Sequence, residues 1–117
     1  MVTPKRGEVW PVNLDPRMGS EIKKTRPAIV ISANKIGKLP VKLVVPITDW
    51  KADFTQNVWH IKMRPSASNG LSKASAADTL QMRSIDLQRF IRKLGDASRP
   101  TITKVVISID TIIAADS

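Results

Sequence analysis

The chain has no cysteine in its 117 residues and a single histidine, His60. The first absence excludes a disulfide framework and thiolate chemistry, and the two together exclude a His/Cys zinc site. One histidine also excludes, within one chain, a nuclease that uses two histidines as acid and base. No carboxylates cluster at metal-ligand spacing, and neither a G-x-x-x-x-G-K nor a G-x-G-x-x-G phosphate loop is present. Apolar residues make up 42% of the chain but are dispersed, and no run approaches the ~18–20 needed to cross a bilayer. The opening Met1-Val2-Thr3-Pro4-Lys5-Arg6 lacks the apolar block of a secretory signal. A soluble, cytoplasmic protein is expected. Repeats and low-complexity tracts are also lacking, and the length predicts one domain over residues 1–117.

Acidic residues are scarce. Ten Asp and Glu against nineteen Lys and Arg leave a net charge of +9 and an isoelectric point near 10.4. A field of that sign attracts polyanions at long range, so nucleic acid or another strongly acidic partner is expected. More than half of the basic residues fall in three clusters: Lys5 with Arg6, residues 17–26, and residues 83–99.

The remaining pattern is one of short strands. Residues 8–14 roughly alternate and stop at Asp15-Pro16, a turn signal, while Pro11 predicts an edge or a bulge. Residues 17–24 read as a basic loop. Residues 28–32 and 42–48 are β-branched runs bounded by Asn, Gly and Pro, which predicts buried strands, with a short helical turn over residues 34–37. A further strand is predicted over residues 57–63, a loop over 65–70, and weaker strands over 74–83 and 90–94, with Ser84-Ile85-Asp86 between them as a turn or the start of a helix. At the C-terminal end, Ile102, Val105, Val106, Ile109, Ile112 and Ile113 fall on one helical face, and Pro100 suits a helix N-terminus. Trp10 and Trp59 are assigned to the core. A mostly β, α+β fold follows: a small bent sheet closed by one amphipathic helix.

With those catalytic schemes excluded, arginine, lysine and hydroxyl chemistry is left. It suffices for metal-free RNA cleavage, because the 2′-hydroxyl attacks its own adjacent phosphate and no water nucleophile has to be generated. The enzyme must align that attack, stabilise charge on the phosphoryl oxygens and move two protons. A planar guanidinium donates several hydrogen bonds to phosphate oxygens, and a threonine hydroxyl can add another.

Gly19-Ser20-Glu21-Ile22-Lys23-Lys24-Thr25-Arg26-Pro27-Ala28, then Val44-Val45-Pro46-Ile47-Thr48, resemble the signature of the MazF/PemK (Kid) toxins, endoribonucleases of bacterial toxin–antitoxin pairs. The resemblance extends in order from Arg6-Gly7-Glu8-Val9-Trp10 through Asp15-Pro16 to Gln81-Met82-Arg83-Ser84-Ile85-Asp86. It implies an SH3-like β-barrel of the kind shared with the gyrase-poisoning toxin CcdB, a two-fold homodimer, no cofactor, and an antitoxin whose acidic, disordered tail covers the basic groove. It implies sequence-specific, metal-independent cleavage of single-stranded mRNA, giving 2′,3′-cyclic phosphate and 5′-hydroxyl ends. In the MazF branch the arginine of Thr-Arg-Pro and the threonine ending Val-Pro-Ile-Thr are catalytic, which implies Arg26 and Thr48 here.

Arginine stays protonated at neutral pH and suits stabilisation or proton donation better than abstraction, so Glu21 is taken as the candidate base. The Kid branch carries a catalytic histidine and aspartate where this chain has Ser20 and Leu80, and Asp78 is the nearest carboxylate on the same strand face if the segment is extended. RNA binding is expected from Lys23, Lys24, Ser75, Gln81 and Arg83. Trp50 either stacks on an unpaired base or packs, and His60 reads more readily as structural. Two rival functions are a CcdB-like gyrase inhibitor without enzymatic activity and an RNA-binding barrel of weak activity.

Overall fold

The computed structural model describes residues 3–15 and 24–114. Seven antiparallel strands run as β1 (Glu8–Asn13), β2 (Thr25–Val30), β3 (Val41–Asp49), β4 (His60–Met63), β5 (Ser75–Asp78), β6 (Arg83–Asp86) and β7 (Gly95–Asp96), followed by helix α1 (Arg99–Ile112). The sheet order is β4-β5-β3-β2-β1-β7, with β6 also paired to β3. The result is a curled, barrel-like sheet with one helix laid against it.

Period-two alternation gives the central strands two apolar faces. Val9, Ile29, Val45 and Ile47 pack on one side with Met63, Ala77 and Val105 of α1. Trp10, Val12, Ala28, Val30 and Val44 pack on the other with Leu14, Ile85 and Phe90. There the Trp10 and Phe90 rings meet edge to face, 5.9 Å between centroids.

Strand β3 organises the sheet. One edge pairs with β2, while the other pairs first with β6, over Val41 to Val44, and then with β5, over Ile47 to Asp49. Pro46 falls between those two partners, where a missing N–H interrupts no ladder. The other prolines are placed by the same logic. Pro11 and Pro27 stand opposite each other between β1 and β2, which is possible only at a non-hydrogen-bonded pair, where neither N–H is needed. Pro11 therefore lies inside the sheet and not at the edge or bulge its residue type predicts: on its far side Ile91 N–H donates to the Pro11 carbonyl at 3.1 Å. Ser84-Ile85-Asp86 are likewise strand rather than turn, since β6 finds its ladder on β3, a long-range pairing that local propensity does not encode.

Helix α1 starts where Pro100 indicates, capped by Ser98, whose hydroxyl accepts from Thr101 N–H at 3.2 Å. Its buried face is offset from the apolar pattern. Val105 and Ser108 are buried and Ile102 and Ile109 pack against the core, whereas Val106 and Ile113 are 42% and 64% exposed. A serine in the buried row is tolerated because its hydroxyl is satisfied: Ser108 Oγ donates to the Val58 carbonyl at 2.7 Å and lies 2.7 Å from Thr79 Oγ1.

The loop over residues 64–71 is fixed from within by buried Asn69, whose Oδ1 accepts from Ser66 and Leu71 N–H, both at 3.0 Å, while Nδ2 donates to the Arg64 carbonyl at 2.9 Å. Its neighbour Gly70 has φ of +72°, and a Cβ there would collide with the Leu94 backbone. Gly70→Ala should therefore lower stability by about 2–4 kcal/mol, combining left-handed strain with a steric clash. A denaturation midpoint equal to that of the unsubstituted protein would refute this close packing of loop on residues 94–96.

Candidate active site

Where β1, β2 and β3 curl together, a cleft of about 340 Å³ opens between the C-terminal end of β3 and the loop 70–75. Pro11 and Pro27 contribute apolar floor, and Arg26, Thr48 and Ser75 all line it. Three residues 22 to 49 positions apart in sequence thus meet because β2 pairs with β3 and β3 with β5, the latter setting Thr48 opposite Ala76.

Arg26 projects from β2, opposite Val12 of β1, and is only partly exposed. Its Nε is buried with no hydrogen-bond partner. A buried guanidinium N–H left unmade costs about 1–3 kcal/mol. The same guanidinium lines the cleft and makes no hydrogen bond or ion pair with any described residue. Thr48 is half-buried, and its hydroxyl makes no hydrogen bond with any described residue, so it too is available. Ser75 differs. Its Oγ donates to the Lys73 carbonyl at 2.9 Å, so the hydroxyl shapes the turn into β5 and retains only acceptor capacity towards the cleft.

Other cleft residues carry no motif. Asp49, directly after Thr48, is the one carboxylate lining the cleft among the described residues. Lys73 holds it, with Nζ 3.1 Å from Oδ1 and 3.2 Å from Oδ2. Arg92 also lines the cleft. Asp49 was discoverable as the next residue after a named motif. Lys73 and Arg92 reach the cleft only through long-range pairing and gave no signal in the sequence.

Several expected site residues either lie outside the described residues or do not line the cleft. Glu21 and Lys23, like Ser20, lie outside the described residues. Lys24, with φ of +62°, receives its role from the backbone: its N–H donates to Asp15 Oδ1 at 2.8 Å and its carbonyl accepts from Leu14 N–H at 2.8 Å. Gln81 and Arg83 do not line this cleft. Gln81 ends the single-turn 3-10 helix Thr79–Gln81, and Arg83 opens β6 opposite Val44, four residues along β3 from Thr48, or about 13 Å at strand rise.

Trp50 packs. Its ring meets Phe54 edge-on at 5.8 Å, and Lys62 Nζ stands over it at 5.1 Å. Phe54 in turn stacks on His60, 3.7 Å between centroids at 12°. Trp59 is half-buried beside His60 and belongs to neither apolar core, contrary to its assignment.

Asp78 does not replace the missing carboxylate at Leu80. The strand ends at Asp78, the 3-10 turn removes Leu80 from its face, and the Asp78 carboxylate turns to His60 Nε2 at 3.5 Å and Leu80 N–H at 3.1 Å. Burial pushes the Asp78 carboxyl above its ordinary value, outweighing His60 and the backbone donors that favour the anion. Because the folded-state value lies above the unfolded one, ionisation at Asp78 disfavours folding. The component is absent below the unfolded value of 3.8 and grows as pH rises through the raised value. Wild-type stability relative to Asp78→Asn should therefore be greater at pH 3.5 than at pH 5.5. Denaturant midpoints measured at both pH values check the sign.

Among the described residues, no group of three or more His, Asp or Glu is placed to hold a metal ion, and no helix is long and apolar enough to cross a membrane.

Residues 5–113 match the family described as PemK-like, MazF-like toxin of type II toxin–antitoxin system. The chain is 33% identical over 108 residues to endoribonuclease MazF9 of Mycobacterium tuberculosis, covering 86% of this chain and 88% of that protein. A 47-residue stretch is 45% identical to endoribonuclease PemK of Escherichia coli, spanning 38% of this chain and 34% of that one. By structure, it superposes on MazF of Deinococcus radiodurans with a TM-score of 0.80 at 20% identity, covering 97% of this chain and 99% of that chain. A mycobacterial endoribonuclease in complex with its cognate antitoxin superposes with a TM-score of 0.75 at 16% identity, covering 98% and 99%. The fold is thus that of the MazF toxins, and the chain belongs to the PemK-like, MazF-like toxin family of type II toxin–antitoxin systems.

Proposed function

We propose that this toxin is a metal-independent, sequence-specific endoribonuclease that cuts single-stranded mRNA in the cytoplasm, with Arg26 and Thr48 acting on one scissile phosphate. The observation that carries the reading is that Arg26, whose Nε has no hydrogen-bond partner, lines one basic cleft with Thr48, whose hydroxyl has none among the described residues. The 2′-oxygen attacks phosphorus, a new P–O2′ bond forms, and the P–O5′ bond breaks, leaving a 2′,3′-cyclic phosphate and a 5′-hydroxyl. Arg26 donates to the non-bridging oxygens as charge grows there, and Thr48 adds a neutral donor. Two protons move, one from the 2′-hydroxyl and one onto the departing O5′. Asp49 is engaged by Lys73, so Glu21, which precedes β2 in sequence, is assigned the first, and the guanidinium of Arg26 supports protonation of the second. Gln81, Arg83, Lys23 and Lys24 would contact RNA beyond the cleft, as phosphate or base-edge partners.

An antitoxin with an acidic tail is the proposed protein partner. The net charge of +9 attracts such a tail, and the antitoxin-bound mycobacterial protein shares this fold. A homodimer is proposed as the working form, supported by the exposed apolar side chains Val106 and Ile107 on α1 and Ile113 at its C-cap.

Cleavage of a long RNA by the antitoxin-free protein in excess EDTA, with end groups mapped, tests the reaction. Reproducible cuts at one short motif with cyclic-phosphate ends are expected. A single 2′-deoxy substitution at the cut site should abolish cleavage, and cutting of that bond regardless would sink the mechanism. Arg26→Ala should lower the single-turnover rate about 10²–10³-fold, as for loss of one preorganised donor, with little change in binding. Thr48→Ala should cost less, about tenfold to a hundredfold, because a neutral donor is weaker than a charged one.

A further inference from the structure

Besides Arg26, Arg92 is the one cation lining the cleft without a described partner. Lys73 is neutralised by Asp49, 3.1 Å away. On the chain beside Arg92, Lys93 reaches back to Glu8 at 3.3 Å and Asp96 at 3.2 Å. Glu8 is well suited to hold it: although burial opposes its ionisation, the Lys5 N–H, Trp10 Nε1–H and Lys93 keep its carboxyl below the ordinary value. Arg89 donates to the Asn13 carbonyl at 3.1 Å and to the Asp15 carbonyl. Arg92 makes no hydrogen bond or ion pair with any described residue, yet it lines the cleft that holds Arg26.

Its position is built and not incidental. Residues 91–94 lie along the edge of β1 opposite to β2, held by Ile91 N–H on the Pro11 carbonyl at 3.1 Å and Leu94 N–H on the Val9 carbonyl at 2.8 Å. Arg26 comes from β2 and Arg92 from this segment, so the two backbones flank β1 two strand spacings apart, about 10 Å. The Lys93 ion pairs fix the neighbouring side chain towards β1 and β7, which leaves Arg92 to the cleft side. With Asp49 and Lys73 cancelling, Arg26 and Arg92 leave two positive charges in one 340 Å³ space that no other described residue lining it compensates. A single phosphate does not account for both. Arg26 is partly buried with an oriented fork, whereas Arg92 is exposed at the rim.

We propose that Arg92 grips a second backbone phosphate, next to the scissile one served by Arg26, and so sets the path of the RNA across β1. This rests on the RNA-cleaving function proposed above. Arg92 acts in binding and positioning, so its loss appears in affinity and not in the chemical step.

The test uses full-length protein and an oligoribonucleotide spanning the mapped cut site, made non-cleavable by one 2′-deoxy nucleotide. Binding is titrated across salt concentrations for the wild type, Arg92→Gln and, as a control for net charge alone, Lys104→Gln on the exposed side of α1. Arg92→Gln should weaken binding about five- to tenfold at low salt and reduce the slope of log affinity against log salt by about 0.7, the share of one phosphate contact on a single strand. With the cleavable, all-ribose form of the same oligonucleotide, the single-turnover rate at saturating RNA should stay within about twofold of wild type. Arg92→Lys should restore the slope but only part of the affinity, since it keeps the charge and loses the fork. Wild-type affinity and slope in Arg92→Gln, or an equal loss in Lys104→Gln, would overturn this inference while leaving the nuclease intact. A wild-type protein that neither binds nor cuts RNA would overturn the nuclease reading, and this inference with it.

Discussion

One edge of β3 has to serve two strands in succession. β6 takes Val41 to Val44, β5 takes Ile47 to Asp49, and Pro46 occupies the gap between them, where no partner needs its missing N–H. Much of the rest depends on that division. It brings β5, and with it Ser75, beside Thr48, and it sets Arg83 opposite Val44, near the middle of β3 and away from the cleft. It also curls the sheet, so that the second apolar face closes on Ile85 and Phe90 without a second helix. A β3 that paired with one partner throughout would place Arg83 and Thr48 on comparable terms, and the cleft would have a different wall.

The electrostatics follow a complementary rule. Basic residues near the site are mostly tied down: Lys73 by Asp49, Lys93 by Glu8 and Asp96, and Arg89 by backbone carbonyls. These ties are worth little as stability, because exposed ion pairs are screened by solvent and salt. Their effect is to hold the side chains in place. Two guanidiniums are left uncommitted in a concave space, one of them with a buried N–H that nothing in the described structure satisfies. Such an arrangement is costly in the free protein and becomes favourable when an anion with several acceptor oxygens fills it.

The family's other acid–base set is replaced by structure of a different kind. Leu80 stands 57% exposed on a 3-10 turn. The nearby Asp78 is drawn into a packed group with His60, Asn57 and Phe54, where Asn57 Nδ2 lies 3.0 Å from His60 Nδ1. His60 therefore belongs to the support of β4 and β5. The chemistry assigned to this chain relies on arginine and hydroxyl donors, in keeping with a nucleophile supplied by the substrate.

Much of this was legible in the residue order. The β-branched runs of β2 and β3 and the helix start at Pro100 came from local chemistry, and Arg26 and Thr48, which line one cleft, were singled out by motif, because strand propensity, proline geometry and motif spacing are short-range properties. The helix face was legible only approximately. An apolar residue and a satisfied serine are interchangeable in the buried row once Ser108 finds Val58 and Thr79, so hydrophobic periodicity alone aimed it towards Val106 and Ile113. Pro11 in a sheet interior, β6 as a strand, Trp59 outside the core, and Arg92 in the cleft were decided by tertiary structure. Each depends on which distant strand lies alongside, and that pairing is fixed by cooperative closure of the sheet around its core, which no local window of the chain contains.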